Sequence, residues 1–344
     1  MTAAALAICV NPMSGRDVRR LAARATNMTH EAKRDLVARI AAGADAAGVS
    51  DIYVTREPYN IAAMALEMMP LRAQVHVLDV PLKADASDTE RGVRAFLDAG
   101  VRTMVSLGGD GTNRAIVRAL GEHCADTTLL PLSTGTNNVF PVLTEPTIVG
   151  VAAGLHCRGK LTDSTLRRRA KVLHITGANA RGEAVQDVGL IDAVLLLRDH
   201  VGNLLPFDAE RIPQMLLTRA ESDAIGMSPI GGLIEEVLEH EDAGLLVQMG
   251  SGADSKTFLA PVSPGLFKPV SVRSTQRLPL DTPVLFNGPG VLALDGDRDH
   301  KIPDGGGLSV VIRRDGPWIL DAAAAMRWAV ANGMMTTELT ERPA

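Results

Sequence analysis

The first ~150 residues alternate between short apolar runs and longer stretches with helical periodicity. The apolar runs cover residues 3–10, 51–57, 74–80, 102–107 and 128–133. Strands that alternate with helices in this way form βα units, whose strands lie parallel in one sheet. This pattern predicts an N-terminal α/β domain with a Rossmann-like parallel sheet. Between the strands we expect a helix over residues 29–48, and a second helix that begins at a capping box formed by Ser87 and Glu90.

Three polar loops follow the first, fourth and fifth predicted strands. Their sequences are NPMSG (11–15), GGDGTN (108–113) and STGTNN (133–138). Right-handed crossovers place the carboxyl ends of parallel strands at one edge of the sheet, so the three loops should meet there. Their arrangement predicts a ligand-binding crevice, although no loop is informative alone.

From about residue 165 the pattern changes to closely spaced strand candidates separated by Gly and Pro, which predicts a mainly β region. We expect one helix in this region, around residues 231–241, and a closing helix over 321–334. The sequence therefore predicts an α/β domain (1–160), a mainly β domain (161–316) and a C-terminal helical segment (317–344). Whether this segment returns to the first domain is left open by the sequence.

Composition narrows the class of protein. A net charge of −5 and 3% aromatic residues argue against nucleic-acid binding and against electrostatic binding to membranes. The three cysteines form no CxxC pair, and the eight histidines have no metal-binding spacing. Cys9 lies in an apolar run and is expected to be a buried strand residue. With no leader or membrane-spanning segment in the sequence, we expect a cytoplasmic enzyme or binding protein. A homo-oligomer is also expected, although the sequence does not specify its oligomeric state.

The loop SLGGDGTNRA (106–115) contains three glycines around Asp110. Glycines allow a close backbone approach, and amides at the start of a helix favour an anion. An aspartate there would repel a phosphate, unless it accepts a proton from a hydroxyl or contacts the phosphate through a metal ion. A tight turn with Asp110 as the N-cap of the next helix explains the loop equally well. The local sequence leaves both interpretations open.

Taken together, NPMSG, LGGDGTN, PLSTGTNNVFP and LALDGD (292–297) resemble the NAD kinase and diacylglycerol kinase superfamily. The wording STGTNNVFP is closest to its acetoin catabolism protein X (ATP–NAD kinase-like) branch, and the resemblance spans about residues 5–315. It implies an N-terminal α/β nucleotide-binding domain, a C-terminal β-sandwich substrate domain and an active site between them. It also implies transfer of the ATP γ-phosphate, with Mg²⁺ or another divalent cation, to a substrate hydroxyl.

The resemblance assigns roles to individual residues. Asp110 matches the aspartate that activates the acceptor hydroxyl, and Asp295 matches a late aspartate that handles metal or phosphate. The nucleotide-binding positions are Asn11, Ser14, Gly15, Gly108, Gly109, Gly111, Thr112, Gly135, Thr136 and Asn137. The family's default acceptor is the adenosine ribose 2′-hydroxyl of NAD, so ATP and NAD are the expected ligands.

Two departures leave the acceptor open. Lipid kinases of the superfamily usually carry a glutamate in an Asn-Glu pair after GGDGT, where this sequence has Asn113 and Arg114. NAD kinases carry a Gly/Ser/Thr-rich substrate loop, and the nearest match is IGMSPIGG (225–232), with Ser228, Gly231 and Gly232 as candidate substrate residues. The alternatives are a kinase of another small-molecule or lipid hydroxyl, or a non-catalytic nucleotide-binding regulator on the same fold.

Asp295, Asp297 and Asp299 stand at alternate positions, as at the start of a calcium loop. The glycine and terminal glutamate of an EF-hand loop are missing, so we discount that site. The Asp295-Gly296 pair predicts a two-residue hairpin turn, with Asp295 either functional or part of a solvated edge. The basic run TLRRRAK (165–171) is interpreted as a solvated linker, or as a patch that reaches the cleft.

Overall fold

The computed structural model describes residues 4–15, 28–135, 138–179, 181–203 and 208–337. The strands of its N-terminal part are β1 (Ala5–Val10), β2 (Asp51–Thr55), β3 (Gln74–Leu78), β4 (Thr103–Gly108) and β5 (Thr128–Ser133). The helices between and after them are α1 (His30–Ala47), α2 (Ile61–Leu66), α3 (Ala86–Asp98), α4 (Asp110–Leu120) and α5 (Pro146–Cys157).

The five strands form the expected parallel sheet, in the order β3-β2-β1-β4-β5. The strand order reverses between β1 and β4, and in open α/β sheets this switch point is where ligands bind. The loops NPMSG and GGDGTN follow these two strands. The predicted Rossmann-like sheet is confirmed, and its topology places two of the three polar loops at the switch point.

Apolar cores cover both faces of this sheet. One core contains Leu6, Ile8 and Ile52 with buried side chains of α1 and α5. The other contains Ala7, Cys9 and Met104 with buried side chains of α3 and α4. Cys9 is 3% exposed, which confirms its predicted place in a buried strand.

The C-terminal region contains two antiparallel sheets. Its strands are β7 (Val172–Ala178), β8 (Ala184–Gly189), β9 (Asp192–Leu196), β10 (Gln214–Leu217), β11 (Ala243–Met249), β12 (Lys256–Ser263), β13 (Leu266–Pro279), β14 (Val284–Asn287), β15 (Gly290–Leu294), β16 (Asp297–Ile302) and β17 (Gly307–Arg313). One sheet has the order β12-β13-β11-β10-β9-β15-β16 and the other β14-β17-β7-β8. Side chains from both sheets, such as Leu195 and Phe286, share a core, as in a β-sandwich. The expected fold class is therefore confirmed.

Several local predictions need correction. The helix expected at 231–241 is only the short α6 (Ser228–Gly232), because Val237 instead pairs with Ala220 in an isolated β-bridge. The helix α3 begins at Ala86 rather than Ser87, because the Asp85 carboxylate accepts the Ser87 amide as its N-cap.

The basic run does not form a solvated linker. Arg167–Arg169 form β6, which pairs with β18 (Trp318–Leu320), and β18 extends the parallel sheet beside β5. The guanidinium of Arg167 lies over the Trp318 ring, with 4.8 Å between its carbon and the ring centre. The run therefore contributes to the edge of the N-terminal sheet.

The closing helix is α7 (Ala322–Ala331), followed by the short α8 (Met334–Thr337). Ala322 and Ala325 of α7 belong to the core formed by α1 and α5, so the chain returns to the N-terminal sheet after the β region. Among the described helices, none combines the length and apolar character needed to cross a membrane.

Candidate active site

Hydrogen bonds join the three polar loops at the carboxyl edge of the parallel sheet. The Asn11 side-chain amide donates to Thr112 Oγ1 at 2.8 Å, which links the first loop to the start of α4. Ser14 Oγ lies 2.7 Å from Thr134 Oγ1, and the Thr134 amide donates to the Gly108 carbonyl at 3.0 Å. The expected meeting of the three loops is therefore present, with Asn11, Ser14 and Thr112 in direct side-chain contacts.

A buried lysine forms hydrogen bonds with the backbone of the first loop, NPMSG. Lys33 on α1 is 0% exposed, and its ammonium donates to the carbonyls of Asn11, Pro12 and Ser14 at 2.7–2.8 Å. The loop ends at Gly15, whose φ of 71° is readily adopted by glycine. The lysine fixes the loop backbone and adds a positive charge beneath it.

The glycines of the second and third loops face side chains of this chain. A Cβ on Gly108 would lie 2.4 Å from Thr112 Cβ, and a Cβ on Gly135 would lie 2.4 Å from Asn138 Oδ1. A Cβ on Gly109 would also crowd Asn138, and one on Gly111 would lie 3.3 Å from Asp297 Oδ2. These glycines let the loops and the hairpin carrying Asp297 approach closely. Thr136 and Asn137 lie outside the described residues.

Asp110 is the first residue of α4, and Gly109 is the N-cap. The Asp110 carboxylate accepts hydrogen bonds from the Val139 and Phe140 amides at 2.9–3.2 Å, so it contacts the segment directly after the third loop rather than capping its own helix. Its side chain lies in a buried position. Burial and the nearby Asp295 raise the pKa of Asp110 to about 7, despite these hydrogen bonds and the nearby Arg219.

Asp295 lies in the predicted hairpin turn between β15 and β16, with φ of 51° at Asp295 and 89° at Gly296. Its buried carboxylate accepts the amides of Leu190, Ile191 and Asp192 at 2.7–3.3 Å. The predicted turn is confirmed. Burial raises the pKa of Asp295. Since the Asp295 charge also raises the pKa of Asp110, the β region brings a second carboxyl group close to Asp110.

Asp192 is a third buried carboxyl group at this place, and sequence reasoning missed it. Burial, Asp295 and Asp110 raise its pKa well above the ordinary range. Among the described residues, its Oδ1 is buried without a hydrogen-bond partner. An aspartate within the apolar segment VGLIDAVLLL was the available signal, because an unpaired carboxylate is costly to bury.

Arg114 connects α4 to the β region. It is 3% exposed at its side chain and pairs with Asp187 at 2.6 Å and with Asp299 at 2.7 Å. It also donates to the carbonyls of Val188 and Leu294. The arginine that stands at the lipid-kinase glutamate position therefore forms a buried ion-pair network between the two regions.

Asp187, Asp299 and His300 offer ligand atoms within 4.8 Å of one another. However, Asp187 accepts hydrogen bonds from Arg114, Arg118 and His300. Burial alone would raise the pKa of Asp187, but the His300 hydrogen bond and the two guanidinium groups hold it well below its ordinary range. This arrangement is satisfied as an ion-pair network without a metal ion.

The candidate substrate loop is buried within the β region. Ser228 is 0% exposed; its hydroxyl donates to the Arg219 carbonyl at 3.0 Å and accepts from the Glu221 amide at 2.9 Å. A Cβ on Gly231 would lie 2.7 Å from Leu245 Cδ2, and one on Gly232 would lie 2.6 Å from the Glu221 backbone. The structure therefore brings these three residues against the turn at 219–222, and not into contact with Asp110.

Sequence comparison links each half of the chain to a known family. The model of the ATP-NAD kinase N-terminal domain matches residues 6–158, and that of the acetoin catabolism protein X C-terminal domain matches residues 171–315. The acetoin catabolism protein X of Cupriavidus necator is 32% identical over 337 residues, which cover 95% of this chain and 93% of that protein. A probable YegS-like lipid kinase of Pseudomonas syringae is 48% identical over 71 residues, 20% of this chain and 23% of that protein.

Solved structures agree with this relationship at the level of the fold. Yeast NADH kinase in complex with NADH superimposes with a TM-score of 0.55 at 15% identity, over 99% of this chain and 89% of that chain. Its resemblance covers both the parallel-sheet and the β-sandwich regions. On the combined evidence of both family models and the full-length relative, the chain belongs to the acetoin catabolism protein X family, with an NAD kinase-like fold.

Proposed function

We propose that this protein is a phosphotransferase that moves the γ-phosphate of ATP to a hydroxyl group, with the adenosine ribose 2′-hydroxyl of NAD as the acceptor and NADP as the product. The observation that carries the proposal is Asp110, a buried carboxyl group with a pKa near 7 among three interlocked loops at the switch point of the sheet.

The three loops supply the proposed binding site for the ATP phosphates. Backbone amides at the start of α4 and the positive end of the helix dipole favour an anion at this edge. The Lys33 ammonium under the first loop adds positive charge. We assign phosphate contacts to Asn11, Ser14, Gly15, Gly108, Gly109, Gly111, Thr112 and Gly135, and extend the assignment to Thr136 and Asn137.

Asp110 is the proposed general base. A carboxyl group whose pKa lies near the working pH is ionised often enough to accept a proton and basic enough to hold it. The Val139 and Phe140 amides hold the carboxylate in one orientation. In this role Asp110 accepts the proton of the acceptor hydroxyl as its oxygen attacks the γ-phosphorus, while the loops orient the phosphates.

The residues around Asp110 fit a divalent cation. The unpartnered Oδ1 of Asp192 and the nearby Asp295 carboxylate are oxygen donors of the kind that Mg²⁺ prefers. A cation bound there would also relieve the repulsion among three buried carboxyl groups. We assign Asp192 and Asp295 to hold Mg²⁺, which when bound neutralises charge on the phosphate oxygens.

The test is an acceptor panel with ATP and Mg²⁺, comparing the wild-type protein with the Asp110→Asn variant. NAD, NADH, a diacylglycerol, a sphingoid base and simple sugars serve as acceptors, and transfer of labelled γ-phosphate is measured for each. We expect labelled NADP from the wild type and a large loss of labelling in the variant. Labelling of another acceptor in place of NAD would identify a kinase with a different substrate.

A non-catalytic regulator on the same fold remains the contrasting possibility. It predicts that calorimetry detects binding of ATP or NAD, while the panel shows no labelled product with any acceptor. That combination would refute the proposed transfer reaction.

A further inference from the structure

Arg219 lies in the turn between β10 and α6, close to the candidate active site. Its side chain is 14% exposed, and its guanidinium carbon lies 5.6 Å from the centre of the Phe140 ring. The described part of the chain provides only one acidic contact, Glu221 Oε1 at 3.8 Å, which is beyond hydrogen-bond distance. No described residue accepts a hydrogen bond from its guanidinium.

Other largely buried arginines of this protein differ from Arg219. Arg114 donates to two carboxylates and two carbonyls, and Arg298 donates to Asp199 and to the Asn203 carbonyl. Arg314 likewise donates to Asp242 and to backbone carbonyls. A largely buried guanidinium whose donors remain unused by the described residues is available for an anionic ligand.

The position of Arg219 relative to Asp110 is set by Phe140. The Phe140 amide donates to Asp110 Oδ1 at 2.9 Å, and the Phe140 ring stacks against the Arg219 guanidinium. Arg219 is also near enough to lower the pKa of Asp110. Phe140 therefore lies close to both groups, with its ring near the guanidinium and its backbone amide on the proposed base.

The backbone that carries Arg219 is held in place on both sides. Ser228 Oγ donates to the Arg219 carbonyl, and Ala220 forms two backbone hydrogen bonds with Val237. The packing of Gly232 against Glu221 leaves no room for a side chain. The candidate substrate loop thus holds the Arg219 backbone in place, so that ligand binding has to order only the side chain.

We propose that Arg219 binds phosphoryl oxygens of a substrate in the cleft beside Asp110. The inference rests on the proposed function for its location, and adds a phosphate-binding residue from the β region. The planar guanidinium forms paired hydrogen bonds to phosphate, and its charge offsets the repulsion that Asp110, Asp192 and Asp295 exert on an anion. The phosphate belongs either to ATP or to the diphosphate of NAD, which share this chemistry.

The test measures binding to wild type, Arg219→Met and Arg219→Lys by calorimetry. Methionine keeps an apolar chain against Phe140 and removes the guanidinium, whereas lysine keeps the charge and loses the planar fork. The probes are Mg·ATP, sodium tripolyphosphate and NAD. Arg181→Met, at an exposed position in the turn between β7 and β8, is the matched control.

We expect Arg219→Met to raise the Kd for at least one probe about 10- to 100-fold, as for loss of a charged hydrogen bond, with partial recovery in Arg219→Lys. A rise for tripolyphosphate and ATP locates the ATP phosphates at Arg219, and a rise for NAD alone locates the NAD diphosphate. Thermal unfolding should match that of Arg181→Met, which a purely structural role would not allow.

Unchanged binding of every probe in Arg219→Met, or no binding of any probe to the wild type, would overturn the inference. A destabilised Arg219→Met protein whose binding is not recovered by lysine would overturn it as well. If phosphate binding depends on Arg219 but no NADP is formed, the proposed reaction fails and the role of Arg219 stands.

Discussion

Two groups of aspartates flank the helix α4, and they differ in their hydrogen-bond partners and in the direction of their pKa shifts. At its start, Asp110, Asp192 and Asp295 are buried without a hydrogen bond from any arginine of the described residues, and burial raises the pKa of each. One to two turns further along, Asp187 accepts hydrogen bonds from Arg114 and Arg118, which help to hold its pKa well below the ordinary range.

Along α4, the aspartates proposed for the reaction are therefore distinct from those that connect the two regions. Carboxylates that are paired with arginine are stable as anions and contribute to the contact between the two regions. Carboxylates without such partners are costly to keep charged, and they gain most from a proton or a cation. The first group therefore fits the proposed reaction, and the second group fits the connection between the parallel sheet and the β-sandwich.

The largest effect is expected from Arg114→Met. The substitution removes a guanidinium from the buried carboxylate of Asp187, and also from the exposed Asp299, and should lower the free energy of unfolding by about 3–5 kcal/mol. Arg118→Met is the matched control, because Arg118 is 37% exposed and its pairs contribute less than about 1 kcal/mol. Urea unfolding measures both variants. Equal losses would show that the buried network is not the connection we infer.

Next, Asp110→Asn should lower turnover at least ~100-fold while nucleotide affinity is retained, because asparagine keeps an acceptor oxygen for the Phe140 amide but cannot take a proton. Asp187→Asn is the contrasting variant and should reduce stability with a smaller loss of turnover. Steady-state kinetics and ATP binding distinguish the two. Full activity in Asp110→Asn would remove the general-base role.

A smaller effect is expected from Asp192→Asn. Removal of one carboxylate oxygen from the proposed cation site should raise the Mg²⁺ concentration for half-maximal activity by about tenfold. The same change relieves charge repulsion with Asp295 and Asp110, so thermal stability should not fall. Magnesium titration of the kinase reaction measures the shift, and an unchanged titration curve would argue against Asp192 as a ligand.

The final prediction concerns the pH dependence of stability. Because the pKa of Asp110 rises to about 7 on folding, the folded state binds more protons between about pH 4 and 7, and stability falls as the pH rises through this window. The slope is at most about 1.4 kcal/mol per pH unit for one group. The lowered pKa of Asp187 acts oppositely: its stabilisation is present above about pH 4 and is lost on further acidification.

In urea unfolding across pH 3–8, the plot of stability against pH should therefore have two limbs with different origins. One is the loss of stability as the pH rises toward 7, and the other is the loss of stability on acidification below about pH 4. Asp110→Asn should flatten the limb between pH 5 and 7, and Asp187→Asn should flatten the acid limb. A profile that is the same in both variants would contradict the contrast between the two groups.

Much of the N-terminal fold was predictable from its sequence. The βα alternation specifies β1 to β5, because a strand buried by helices on both sides must be apolar along its length. The strands β6 and β18 were not predictable, because each has only three residues and both depend on pairing with distant segments. The helix expected near 231–241 failed because the bridge between Ala220 and Val237 overrode local helical periodicity.

Part of the site was also predictable. The loops with Asn11, Asp110 and Thr134 follow strands whose order brings them together, so position along the chain was sufficient. Asp192 and Arg219 were not found, since neither lies in a recognisable motif. Their roles depend on burial and on missing hydrogen-bond partners, which are properties of the packed structure.

By itself, the sequence determined the fold class, the hairpin turn at Asp295 and the three polar loops, because hydrophobic periodicity and turn residues act locally. Only the tertiary structure decided which acidic side chains became neighbours and which found arginine partners. Asp187 and Asp192 are separated by five positions on consecutive strands, yet packing gives one a buried ion pair and leaves the other beside Asp110 and Asp295. These neighbours set the free energy of ionising a carboxyl group, and the order of residues along the chain does not specify which neighbours it will have.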